Sequence, residues 1–119
     1  MRTPHTYRHN GEKHTIDLEQ VYYALAQRQT CTIVFKNGTA EDYPYPLCDF
    51  EKLLAGKGYG RVSFSCLVFF EAIADYICPN AILDNGQKLP VTRKYYTAVE
   101  IHLQEKRMRG SSEAPESNK

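Results

Sequence analysis

The stretch TCTIVFKNGTAEDYPY, Thr30 to Tyr45, decides the fold class. Cys31, Ile33 and Phe35 alternate with Thr30, Thr32 and Val34, the period of two that sends one set of side chains to a buried sheet face. Asn37–Gly38 follows, the strongest short hairpin signal. That dipeptide between strand-like runs predicts a β-hairpin. Pro44 and Pro46 lack the N–H that a central strand would donate, so they end its second strand.

Working outward, DFEKLLAG predicts a helix of about two turns, with Asp49 at its start, Phe50, Leu53 and Leu54 on one face, and Gly56 as its stop. RVSFSCLVFFEAIADYICP, from Arg61, is apolar on both faces and rich in aromatic and β-branched residues. It belongs inside a sheet or between sheets, and simple alternation turns Phe64 the same way as Val62, Cys66, Val68 and Phe70. A second turn signal, Asn85–Gly86, places strands at Ala81–Asp84 and Gln87–Val91. Thr92 can cap a closing helix with Tyr95 or Tyr96, Val99 and Leu103 on one face. Upstream, TIDLEQVYYALA from Thr15 fits a short helix or two strands by periodicity, and strand is the preferred reading. Residues 1–12 are polar and aperiodic, as in a flexible arm. RGSSEAPESNK, from Arg109, has the composition of a disordered tail, assigned to 108–119, which leaves 13–107 as the folded domain.

At 119 residues and 42% hydrophobic content, the chain suits one domain with a modest core. Fifteen basic residues against 14 acidic ones give a net charge of +1, so nucleic-acid binding requires local clusters of cations. No apolar run reaches the roughly 18 residues of a membrane span, and MRTPHTYRHNGEKH lacks the apolar centre of a secretory signal, so a cytoplasmic protein is expected. Cys31, Cys48, Cys66 and Cys78 form no CxxC pair and sit among apolar neighbours; buried reduced thiols are expected, with no metal and no cofactor. His5, His9, His14 and His102 fall in no catalytic pattern, and no enzyme is expected.

LPVTRKYYTAVEIHL, Leu89 to Leu103, raises a question of charge. The helix macrodipole is positive at its N-terminus, where a cation loses about 0.3–1 kcal/mol, yet Arg93 and Lys94 stand there. Phosphate oxygens are anions that such a terminus would receive; a surface pair with Asp84 or Glu100 is the plainer alternative.

Three segments resemble one family. LPVTRKYYTAV is similar to the closing pattern of the LytTR DNA-binding domain of bacterial response regulators, YGRVSFSCLVFF to its central stretch, and IVFKNGTAEDYPYPLCDFEKLL to its hairpin and helix. The resemblance spans about Lys13 to Glu105. It implies a mostly β fold of elongated antiparallel sheets with one short internal helix and a C-terminal helix, whose loops enter successive major grooves. It implies that Arg93 reaches into a groove, that Gln29, with Arg28 beside it, lies at a base-contacting loop, and that Phe64 holds the central base-contacting position. Ser63 and Phe69 depart from the family's His and Asn there.

On chemistry, Arg93 can take guanine O6 and N7, Gln29 adenine N6 and N7, and Lys94 a phosphate. Arg61 can reach phosphate or pair with Glu51 or Asp49, and Lys57 and Lys88 are further cations for the DNA backbone. The expected DNA-binding set is Arg28, Gln29, Arg61, Ser63, Phe64, Arg93 and Lys94. The expected function is a stand-alone transcription regulator on double-stranded DNA, at direct-repeat promoter sites, as a homodimer or with a regulator partner. With no receiver domain expected before it, its activity is set by abundance, a partner or a ligand. The alternative is a degenerate module that binds another protein through an exposed patch of Phe64 and Phe69.

Overall fold

The computed structural model describes residues 4–113, with side chains described to 108. Strands β1 (Pro4–His9) and β2 (Glu12–Asp17) form a hairpin, and a short 3-10 turn leads into β3 (Val21–Ala26), β4 (Cys31–Phe35) and β5 (Ala40–Tyr43). Helix α1 (Leu47–Leu53) precedes β6 (Tyr59–Ser63) and β7 (Cys66–Phe69); β8 (Ile73–Ile77), β9 (Asn80–Leu83), β10 (Lys88–Pro90) and helix α2 (Arg93–Glu113) complete the chain. The central sheet has the order β5–β4–β3–β7–β6, flanked by the β1–β2 ribbon and by a three-stranded sheet β10–β9–β8, every pairing antiparallel. The molecule is elongated, 57 × 33 × 23 Å.

Two cores explain why the central sequence is apolar throughout. Ala24, Ile33 and Leu67 face a cluster with Tyr7, Ile16, Tyr43 and Phe50, while Cys66 and Val68 face another with Ile73, Leu83, Leu89, Val99 and Leu103. Strands β3 and β7 are thus covered on both sides, and burying an apolar side chain contributes about 1.5–3 kcal/mol. Tyr95, rather than Tyr96, joins Val99 and Leu103 on the packed face of α2.

The structure differs from the sequence reading in four places. Residues 4–9, expected within a flexible arm, are strand β1, because Tyr7 and Ile16 enter the core and Asn10 (φ 54°) and Gly11 (φ 79°) make a tight left-handed turn. Helix α2 continues to Glu113, past the expected end of the domain, with Lys106 Nζ donating to the carbonyls of Glu71 and Ile73 at 2.7 and 3.2 Å. The remainder of the predicted tail lies outside the described residues. The run from Arg61 is three strands and not one, and Phe64, assigned to the face of Val62, sits instead on a turn, 84% exposed. Finally, Cys31 and Cys66 are buried, but Cys48 and Cys78 are exposed. Cys48 lies within α1 between the buried Leu47 and Phe50 and faces outward, and Cys78 lies in the connection between β8 and β9.

Candidate nucleic-acid interface

Two turns and a helix start meet at one end of the central sheet. Between β3 and β4, Gln27 N–H donates to the Thr30 carbonyl at 2.9 Å, closing a turn whose central residues, Arg28 and Gln29, are exposed. Between β6 and β7, Ser63 pairs with Cys66 across Phe64–Ser65. Because β3 pairs with β7, these turns are neighbours: Ala26 N–H donates to the Ser65 carbonyl at 2.8 Å. Thr92 N–H donates to the Val62 carbonyl at 2.9 Å, which seats the first turn of α2 beside the end of β6. Arg28 and Gln29, then Phe64, then Arg93 and Lys94 therefore stand in a row.

The residues in this row do different work. Arg61 Nε and Nη2 both lie 3.1 Å from Glu51 Oε1, and Nη1 donates to the Phe64 carbonyl, so Arg61 ties α1 to the β6–β7 turn. Of the two partners read for it from sequence, Glu51 is the one found. Ser63 is buried, and its Oγ accepts from Ser65 N–H at 3.3 Å, a hydroxyl-closed turn that needs no Gly or Asn. Arg28, Arg93 and Lys94 are exposed and form no ion pair with a described residue; Lys94 Nζ lies 5.5 Å from the Tyr95 ring centroid. Asp84, a possible partner of Arg93, instead accepts the Tyr22 hydroxyl, and burial together with that bond pushes the Tyr22 phenol up to about 12. Glu100 lines a cleft of about 390 Å³ with Arg93, Tyr76 and Tyr96 without an ion pair to Arg93.

Phe64 and Phe69 make no common patch. Tyr59 pairs with Phe69 at one end of the β6–β7 hairpin and Phe64 occupies the other; Phe69 packs on Tyr59 and under Lys36 Nζ, 4.3 Å from its centroid.

Sequence reasoning missed the tip of the β1–β2 hairpin. His9 lines a cleft of about 630 Å³ together with Gln27, Arg28 and Thr30, so the tip adjoins the β3–β4 turn. Asn10–Gly11 was the signal that could have found it. Burial pushes the Cys31 and Cys66 thiols up to about 11 and about 12, away from the thiolate a nucleophile needs. Among the described residues no cluster of three or more His, Cys, Asp or Glu side chains could hold a metal, and no helix is long and apolar enough to cross a membrane.

A protein of antiparallel sheets whose turns gather unpaired cations at one end has the form of a nucleic-acid-binding module, and the comparisons agree. Residues 11–104 match the family model of the LytTr DNA-binding domain. The chain belongs to the LytTR family of DNA-binding domains. A solved LytTr DNA-binding domain from Bacillus cereus superposes with a TM-score of 0.65 at 20% sequence identity, over 84% of this chain and 95% of that one. No curated protein matches.

Proposed function

We propose that the protein is a sequence-specific regulator of transcription that reads duplex DNA through the row of turns at the end of its central sheet. The observation that carries this reading is the hydrogen-bonded register of the row: the Ala26–Ser65 and Thr92–Val62 bonds hold Arg28, Gln29, Phe64 and Arg93 on one edge, with the arginines free of described carboxylates. Adjacent turns joining neighbouring strand pairs are about 10 Å apart, from a strand spacing of about 4.8 Å, which fits a major groove about 12 Å wide.

In this reading Arg93 takes a guanine edge, Gln29 an adenine edge, and Phe64 the methyl group of a thymine, while Arg28 and Lys94 meet phosphates. Arg61 and Ser63 shape the β6–β7 turn rather than touch bases. Few contacts per copy favour two copies on repeated half-sites of a promoter.

Selection from random duplexes tests this. Wild type should enrich one motif, and Arg93→Ala should lose discrimination at one G·C position by about 1–3 kcal/mol. Its folding stability should not fall, since it removes a cation from the positive end of a helix. A motif that survives Arg93→Ala unchanged would remove Arg93 from the reading, and binding without any motif would remove sequence-specific recognition.

A further inference from the structure

The β1–β2 ribbon carries a charge arrangement that folding alone does not favour. Arg8 and Lys13 stand directly opposite each other across the two strands, on the face that also holds Thr6 and Thr15, whose hydroxyls lie 3.0 Å apart. Like charges directly opposite on a ribbon repel, and both side chains are exposed with no ion pair to a described residue. The other face of the ribbon is occupied: it holds His5, Tyr7, His9, Glu12, His14 and Ile16.

The ribbon is also held firmly in place. Tyr7 is buried, its hydroxyl donates to Glu41, its ring meets Tyr43 edge-on at 4.9 Å, and the Tyr43 hydroxyl lies 3.3 Å from His5 Nε2. The left-handed pair Asn10–Gly11 closes the tip without slack. Because His9 shares a cleft with Gln27, Arg28 and Thr30, the tip extends the row of turns on the side away from Arg93. Strand β1 precedes the residues matched by the family model, while β2, with Lys13, lies within them.

We infer that Arg8 and Lys13 form a phosphate clamp on the duplex flanking the base-reading row, so that DNA relieves the repulsion between them. This rests on the DNA-binding reading above. Two opposed cations on a rigid ribbon suit a phosphate bridging both, a contact that adds affinity and salt dependence without base preference.

The test uses the full chain and duplexes carrying the motif selected by wild type, with binding measured at 50 and 200 mM salt. Removing two phosphate contacts lowers the salt slope by about 1.8, so the advantage of wild type over Arg8→Ala/Lys13→Ala should shrink about 12-fold between those salts, with the selected motif unchanged. Arg8→Glu should bind more weakly still and melt higher than wild type, because it restores an opposite-charge pair with Lys13. A merely structural role would move binding and melting in the same direction. If the double variant keeps the wild-type slope and affinity while Arg93→Ala loses the motif, the clamp is overturned and the base-reading row stands. If wild type binds no duplex, both are overturned.

Discussion

Replacing Arg61 with alanine should cost folding stability and leave the DNA motif untouched. The side chain is 15% exposed, and its carboxylate partner on Glu51 is 44% exposed, so one side of the pair is screened by water. A pair of that kind contributes about 0.5–1 kcal/mol. The hydrogen bond from the charged Nη1 to the Phe64 carbonyl, at an exposed site, adds about 1.5 kcal/mol. Arg61→Ala should therefore lose about 2 kcal/mol, which for a chain of this size lowers the melting temperature by about 10 °C. Glu51→Gln should lose about half as much, and the double variant should show a coupling of about 0.5–1 kcal/mol, because both side chains share one interaction. Urea denaturation of the four proteins measures these terms. The salt slope of DNA binding should be that of wild type, since an arginine committed to Glu51 releases no counterion from phosphate. The reasoning is refuted if Arg61→Ala unfolds at the wild-type urea midpoint while its salt slope falls by about 0.9, the signature of a lost phosphate contact.

Other expectations follow from placement. Phe64→Ala removes a ring that is 84% exposed, so the urea midpoint should hold within about 0.5 kcal/mol while discrimination at one T·A position falls; a drop of 2 kcal/mol in stability would return Phe64 to the core. Under native conditions Cys48 and Cys78 should react with an alkylating reagent and Cys31 and Cys66 should not, until urea exposes them, as read by intact mass. Tyr22 has a folded pKa of about 12, above the ordinary value of 10.0, so the folded state keeps a proton that the unfolded chain gives up. Its contribution is intact below pH 10 and is lost as pH rises toward 12, and Tyr22→Phe should flatten the fall of the urea midpoint across that window. An unchanged pH profile in that variant would show that Tyr22 does not titrate with unfolding.

What could be read from sequence depended on whether a turn carried a glycine at positive φ. Asn37–Gly38 and Asn85–Gly86 announce β4–β5 and β9–β10 because positive φ restricts residue choice, and the structure has Gly38 at φ 93° and Gly86 at φ 92°. Asn10–Gly11 carries the same signal but is flanked by His, Tyr, Arg and Lys, whose alternation looks polar until Tyr7 and Ile16 are seen to be buried. The β6–β7 turn has no Gly, Asn or Pro; the Ser63 hydroxyl holds it, so a run of strand formers conceals the reversal, and simple alternation turns Phe64 toward the core or an interface. The row itself could not be read at all from the residues, because it depends on β3 pairing with β7, segments about 40 positions apart, and on Thr92 bonding to Val62. Only the family resemblance brought Arg28, Gln29, Phe64 and Arg93 together in advance.

The arginines divide into paired and unpaired sets, and the unpaired set lies along the proposed binding end. Among the described side chains, Arg61 pairs with Glu51 and Arg107 with Asp75, while Arg8, Arg28 and Arg93 have no carboxylate partner. The paired ones join elements of the fold: α1 to β6, and α2 to β8. The unpaired ones all stand along the same end, on the β1–β2 ribbon, the β3–β4 turn and the first residue of α2, and two of them sit where local electrostatics oppose them, across from Lys13 and at a helix N-terminus. Net charge is only +1, so this end owes its potential to placement and not to composition. A polyanion would convert both local costs into attraction, which is the physical reason for proposing that DNA is met at this end of the fold.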